Sequence, residues 1–307
     1  MTRRDNPNWF ANNPLLRLNN EKDHRAFYDA SLSDPQSLLV PLWRGDPLIA
    51  GGKAAFLSAA AREEFAKDAL VLMLGVKDGC AYFAIDASAG APPDTEAPAD
   101  APFADIGQYT PIREAAGMIS RDDLAIIGQA RWLTEWHRTH RFCANCGAAT
   151  DIINGGAKRQ CPACERVHFP RTDPVAIVLA VHEGACLLGR SPHFPPGFLS
   201  ALAGFIEAAE TPEEAAKREI FEEAGVTLTD VRYQFSQPWP FPSSLMMGFI
   251  ADAEDRALTL DTDEIEEAKW VSADDIKALL NGEPRGDIFL PPKFTIARQL
   301  LELWVDD

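Results

Sequence analysis

The sequence predicts an α+β protein in three parts: a mixed N-terminal domain over residues 1–130, a four-cysteine zinc ribbon over 139–170, and a C-terminal domain of strands and helices over 171–307. Three observations point there. Short apolar runs broken by turn signals fill residues 38–85, two Cys-x-x-Cys pairs fall between 143 and 164, and one strongly capped helix lies among strand-like runs after residue 173.

At 307 residues the chain exceeds the size at which single cores usually stop growing, which favours more than one domain. Leu38-Leu39-Val40-Pro41-Leu42, the turn Arg44-Gly45-Asp46-Pro47, the run from Ala69 to Gly75, and Tyr82 to Ile85 after Lys77-Asp78-Gly79 read as an antiparallel meander. The Ala/Pro/Asp-rich stretch 86–105 reads as a loop. Ser120-Arg121-Asp122-Asp123 starts a helix predicted over 121–137, with Leu124, Ile127, Trp132, Leu133 and Trp136 at helical spacing. Beyond it, Val175 to Val181 and Cys186 to Leu188 form a hairpin around His182-Glu183-Gly184. Further strands are expected near 231–237, 245–251 and 268–271, and helices at 212–224, 272–280 and 293–304.

Composition narrows the class. Apolar residues make up 46% and charged residues 24%, as in ordinary globular proteins. No apolar run approaches the roughly 18–20 residues of a membrane span, so a cytoplasmic chain without membrane association is expected. The formal charge of −17 disfavours nonspecific binding of polyanions and requires local counter-charge, from divalent cations or placed Arg and Lys, for any anionic substrate.

Cys143-x2-Cys146 and Cys161-x2-Cys164 can each present two thiolates from a knuckle, together a tetrahedron for Zn²⁺. Four protein ligands close the coordination sphere, so the expected zinc is structural. Cys80 and Cys186 stand alone in apolar sequence and read as small buried hydrophobes. Between Gly128 and Arg171 seven Lys/Arg face three acids, a balance compatible with nucleic-acid contact but unaccompanied by an aromatic stacking pattern.

Thr211 as N-cap, Pro212 at the first helical position and Gly225 past the end specify a helix over 212–224. On it Glu219, Glu222 and Glu223 stand three and four residues apart and share a face. Carboxylates that close repel unless a cation neutralises them, and hard oxygen ligands call for Mg²⁺ or Mn²⁺. Arg218 can pair with Glu210 and hold the helix start. A single Glu-Glu pair would be only an acidic solvated face.

Here the whole segment, from Gly204 through Glu210, Arg218-Glu219, Ile220, Glu222-Glu223 and Gly225 to Val226, resembles the Nudix box at every defined position. The resemblance implies an α/β/α sandwich that hydrolyses a nucleoside diphosphate linked to another group. Glu219 and Glu223 would be metal ligands, and Glu222 a ligand or the general base.

Ser236-Gln237-Pro238-Trp239-Pro240-Phe241-Pro242-Ser243-Ser244 resembles the signature of the NADH pyrophosphatase subfamily, whose members also carry a four-cysteine ribbon before the Nudix domain. Three prolines stiffen this loop and hold Trp239 and Phe241, flat faces for a planar base, with Phe205 a second candidate. The resemblance implies cleavage of NAD(H) to nicotinamide mononucleotide and AMP, with removal of NAD caps from RNA 5′ ends as an extension. It makes residues 237–244, Phe169, Phe205 and Ala297 substrate-binding, and adds the Ala203 carbonyl and Glu264 as metal ligands. Phe169-Pro170-Arg171 stands where many relatives have Tyr-Pro-Arg, so the hydroxyl that the resemblance would offer to substrate is missing there while the aromatic surface is kept. The resemblance covers residues 139–304 and implies a homodimer. Two alternatives stand beside it: a Nudix hydrolase of ADP-ribose or FAD, and a zinc-ribbon nucleic-acid binding protein.

Overall fold

The computed structural model describes residues 6–18, 24–92, 96–97 and 99–306. It divides into two compact units, one of Asn12–Arg171 with Pro240–Ser243, the other of Met1–Ala11, Thr172–Trp239 and Ser244–Asp307.

The first unit opens with helix α1 (His24–Ser33) and a seven-stranded sheet of β1 (Leu38–Trp43), β2 (Asp46–Ala50), β3 (Lys53–Ala54), β4 (Leu57–Ser58), β5 (Val71–Lys77), β6 (Cys80–Asp86) and β7 (Gln108–Tyr109). The sequence leads one to expect an antiparallel meander, and two hairpins do form, β1–β2 and β5–β6. They are joined differently. β1 pairs β6 in parallel, Leu38 opposite Tyr82 through Leu42 opposite Asp86, because the 3-10 turn Ala59–Glu64 carries the chain across before β5 begins. Leu39, Leu48, Phe83 and Ile85 are buried at its core. Asp86 ends β6, and the described residues from there to 105 are turns and coil as expected, with residues 93–95 and 98 outside the described residues.

After the one-turn helix α2 (Ile112–Ala115) comes α3 (Arg121–Thr139), capped by the Ser120 hydroxyl accepting from the Asp123 amide and two residues longer than its spacing predicts. The ribbon follows as a three-stranded sheet of β8 (Asp151–Ile153), β9 (Lys158–Gln160) and β10 (Val167–His168). A buried polar network ties α3 to it. His137 meets the Gly156 carbonyl through Nε2 at 2.8 Å and accepts from Arg159 through Nδ1 at 3.0 Å, while Arg159 donates to the Thr150 hydroxyl and carbonyl. Burial, and secondarily the Arg159 charge, pushes the His137 imidazole down to about 4. A base whose folded pKa lies below its unfolded value gives stability that is present above about 6.5 and lost as the pH falls toward about 4. His137→Gln should therefore flatten the acid side of the thermal-melting profile. The difference from wild type should be on the order of 3 kcal/mol at pH 4.

The second unit is an α/β/α sandwich. Its six-stranded sheet has the order β14-β15-β11-β12-β16, with β13 paired to β11, where the strands are β11 (Asp173–His182), β12 (Ala185–Arg190), β13 (Leu202–Phe205), β14 (Leu228–Trp239), β15 (Ser244–Ala253) and β16 (Glu267–Ser272). The period-two alternation of β11 builds both layers. Ala176, Val178 and Ala180 face α4 (Pro212–Ala224) through Ala215, Ala216 and Ile220. Ile177 and Leu179 face the other side, where Ile276 of α5 (Ala273–Leu280) and Ile296 and Leu300 of α6 (Ile296–Asp306) pack. Helix α6 starts later than the expected residue 293, because Pro291 and Pro292 precede it and its first amide, on Ile296, donates to the Gln237 side chain at 2.8 Å. Among the described residues no helix is long and apolar enough to cross a membrane.

Candidate functional site

The box helix α4 is held at both ends by local chemistry. Thr211 and Glu214 form a reciprocal capping box, and Gly225 ends the helix in the left-handed region at φ 72°. The approach to it is locked by Arg218. Its guanidinium donates to both Glu210 oxygens at 2.8 and 2.9 Å, to Glu219 at 2.7 Å, to Glu222 at 3.0 Å and to the Phe205 carbonyl at 2.9 Å. The expected Arg218–Glu210 pair is thus present. Arg218 holds the Glu210 carboxyl down near 2.

The three box glutamates share a face but not an environment. Glu222 stands in solvent. Glu219 lies against β13: a Cβ added to Gly204 would overlap the Glu219 carboxyl, so only glycine admits that side chain beside the strand. Glu223 is 7% exposed, and its Oε2 is buried with no hydrogen-bond partner. Burial first, then the charges of Glu219, Glu264, Asp261 and Glu222, pushes Glu223 up to about 8. Burial also raises Glu219, against the pull of Arg218.

Glu264 therefore sits within electrostatic reach of Glu219 and Glu223, whereas its neighbours are spent elsewhere, Glu266 on Arg190 and Glu267 on Lys269. Asp261 escaped the sequence reading. Its amide donates to the Glu223 carbonyl at 3.1 Å, a contact across 38 residues of which an acidic run carries no local signal. Ala203 is half-buried on β13 opposite Ile177, one residue before Gly204. The glutamates are not drawn tightly together. Among the described residues only the cysteines form a group of three or more potential ligand atoms all within 4.8 Å, and unneutralised carboxylates repel.

The donor set suits a hard divalent cation. An orphaned, buried carboxylate oxygen with an elevated pKa, beside a second carboxylate seated in a glycine cradle, is what a cation would relieve.

The residues expected to touch substrate divide in two groups. Phe205 is 61% exposed at the end of β13. Trp239 is already packed: one face stacks on Phe294 with centroids 6.1 Å apart, and Phe10 meets it edge-on at 6.2 Å. Gln237 is fully buried, its amide donating to the Trp9 and Phe294 carbonyls at 2.9 and 2.8 Å while its oxygen takes the Ile296 amide. That side chain is a brace for the backbone. Replacing it with Leu would orphan three buried groups, and the protein should lose on the order of 3 kcal/mol of stability in denaturant unfolding. Pro238 is half-buried, Ser244 is buried, and Ala297 is buried in the core of α6.

The other residues lie in the first unit. Phe241 is covered by two guanidinium groups, Arg113 at 4.6 Å and Arg131 at 5.3 Å from its centroid, and Arg131 also donates to the Pro240 carbonyl at 2.9 Å. Pro242 is exposed and Ser243 buried. Phe169 is 64% exposed with the Lys158 ammonium 5.4 Å over its ring. In the ribbon, the Cys143–Cys164, Cys146–Cys161 and Cys146–Cys164 sulfurs stand 3.6, 3.5 and 3.5 Å apart. Zn–S bonds of about 2.3 Å in a tetrahedron require about 3.8 Å, so the cluster fits zinc with small adjustment. The Asn145 amide and His168 Nε2 contact Cys143 Sγ at 3.4 and 3.3 Å, supporting the thiolate from outside.

Fold and site together define an α/β/α sandwich with a carboxylate-rich helix, in one chain with a four-cysteine ribbon. The NUDIX domain model matches residues 170–291, the NADH pyrophosphatase zinc ribbon domain 138–169, and the NADH pyrophosphatase-like rudimentary NUDIX domain 36–136. The chain is 37% identical over 206 residues to the NAD-capped RNA hydrolase NudC of Chromobacterium violaceum, covering 67% of this chain and 74% of that protein. It is 41% identical over 197 residues to the human NAD-capped RNA hydrolase NUDT12, covering 61% of this chain and 43% of that protein, so it spans less than half the length of this relative. A crystal structure of a NUDIX hydrolase from Nitrosomonas europaea aligns with TM-score 0.43 and 23% identity, over 54% of this chain and 90% of that one. The chain belongs to the Nudix hydrolase family, in its NADH pyrophosphatase subfamily.

Proposed function

We propose that this chain is a divalent-metal-dependent pyrophosphohydrolase that splits NAD(H) at its diphosphate into nicotinamide mononucleotide and AMP, and that also removes NAD caps from RNA. One observation carries the reading most: the buried Glu223 oxygen without a partner, beside Glu219 in its glycine cradle. The names of the matched domains and relatives support the substrate.

Glu219, Glu223, Glu264 and the Ala203 carbonyl would hold Mg²⁺ or Mn²⁺, and of the two roles open to Glu222, ligand or base, its solvent-facing position favours the base. When bound, the cation neutralises phosphate oxygens and lowers the pKa of a coordinated water. Arg218 orients Glu219 and Glu222 through a single nitrogen, and Glu222, facing solvent, accepts the proton as water oxygen attacks phosphorus and the bridging oxygen leaves with the second mononucleotide. Exposed Phe205 offers its face to the nicotinamide ring. The modules divide at 1–130, 139–170 and 171–307, with a structural zinc in the second. The protein acts in the cytoplasm as a homodimer.

Exposed Phe142 and Phe169 on the ribbon, with Lys158 over the latter, favour contact with the RNA behind a cap. The test is a product assay across NADH, NAD⁺, ADP-ribose, FAD and NAD-capped RNA with Mg²⁺ or Mn²⁺. AMP and nicotinamide mononucleotide from NADH, lost in Glu222→Gln, are expected. No AMP from NADH, or no effect of Glu222→Gln, defeats the reading. Salt-independent elution from single-stranded RNA would defeat the ribbon's part in it.

A further inference from the structure

Away from the box helix, the second unit carries an aromatic surface that no role above absorbs. Phe194 stacks on Phe198 with centroids 4.7 Å apart and planes 21° off parallel, and Phe198 meets Phe289 edge-on at 5.7 Å. Phe194 and Phe289 nevertheless remain 48% and 44% exposed. Three rings cluster without being buried.

The surface is built rather than accidental. The loop before β13 and the loop before α6 are zipped by a parallel bridge between Phe198 and Phe289. In it the Phe289 amide donates to the Gly197 carbonyl at 2.9 Å and the Leu199 amide to the Phe289 carbonyl at 3.2 Å. Gly197, at φ 84°, lies so close to the Asp287 carbonyl that a side chain there would collide with it. Arg190 fixes the other edge, donating to the Phe194 carbonyl at 3.1 Å and to Glu266 at 2.9 Å. Exposed aromatic rings on loops held this firmly lose little entropy when something binds.

The position along the chain says what that would be. Phe198 and Phe205 lie on either side of Ala203 and Gly204, where Glu219 is seated, with at most about 25 Å of extended chain between them. On the other flank, Arg190 also accepts the Glu266 amide at its carbonyl, two residues from Glu264. The segment that seats Glu219 thus has an aromatic ring on each side of it in the chain, Phe198 before and Phe205 after. A dinucleotide has the same plan, a diphosphate with a planar ring at each end. Arg190 is already paired with Glu266 and offers no charge to a phosphate, so the surface suits a neutral ring.

We infer that Phe194 and Phe289, backed by Phe198, form the stacking platform for the purine of the substrate, while Phe205 serves the other ring. The inference rests on the dinucleotide reading of the site, and direct binding separates the two. In the zinc-loaded full chain, calorimetry with AMP and with nicotinamide mononucleotide should show Phe194→Ala and Phe289→Ala each weakening AMP at least about 5-fold. Nicotinamide mononucleotide should stay within about 2-fold, and the KM for NADH should rise with kcat little changed. Phe194→Leu, which keeps the apolar bulk, should behave as Ala does, and Phe194→Trp should restore AMP binding. Unchanged AMP affinity in both Ala variants, equal loss for both mononucleotides, or no AMP binding by the wild type overturns the platform. A wild type that binds AMP in this pattern yet hydrolyses nothing overturns the catalytic reading instead.

Discussion

Stripped of divalent ions, the Glu223→Gln protein should melt higher than the wild type at pH 8 while hydrolysing NADH at least about 100-fold more slowly in Mn²⁺. The two effects share a cause. Glu223 is buried, its Oε2 has no partner, and four neighbouring carboxylates raise it further, to about 8. For an acid whose folded pKa exceeds its unfolded value of about 4.5, the stability it supports is complete below pH 4.5. That stability is lost as the pH rises through about 8, where the charged form dominates in both states. Gln keeps the shape and removes the charge. The melting difference should vanish near pH 4 and reach on the order of 3 kcal/mol at pH 8, roughly 6–12 °C. Mn²⁺ should close the gap by stabilising the wild type alone. A Gln variant no more stable than wild type at pH 8 would show that Glu223 is already satisfied in the fold.

Gly204→Ala should cost nearly as much activity through a residue with no functional group. The new Cβ occupies the volume of the Glu219 carboxyl, so that side chain must leave its place beside β13 and its 2.7 Å bond to Arg218 must break. Overpacking of this kind destabilises by about 1–3 kcal/mol, and a displaced ligand should lower kcat on the order of 100-fold. A double-mutant cycle identifies the route. If Gly204 acts through Glu219, adding Gly204→Ala to Glu219→Gln should lower kcat little further. Additive losses would mean that Gly204 acts on something else.

Both predictions concern features whose types were readable in the sequence and whose states were not. The helix Pro212–Ala224 was legible to the residue because its signals, the Thr211 cap, Pro212 and Gly225, act within one or two turns. The four cysteines were legible because two short knuckles carry the ligands. Trp239 and Phe241 read as open faces from composition. Their coverage by Phe294, and by Arg113 and Arg131, depends on residues that spacing cannot bring to notice. Gln237 belonged to a substrate-binding motif, yet its amide is fully engaged by backbone groups 228, 57 and 59 residues away.

By itself, then, the sequence determined the chemistry on offer: three carboxylates on one helical face, an arginine able to hold them, four thiolates at metal spacing, and a proline-stiffened aromatic loop. These follow from helical periodicity, capping and turn formation, which are local. Only the tertiary structure decided that Glu223 is the buried, unpartnered carboxylate while Glu222 faces water, that Glu264 rather than Glu266 or Glu267 joins the cluster, and that β1 runs parallel to β6. It alone brought Phe198, on which Phe194 stacks, against Phe289 across 91 positions. Burial and choice of partner are set by contacts between segments far apart in the chain, and the free energy of a charge or a ring depends on those contacts more than on its neighbours in sequence.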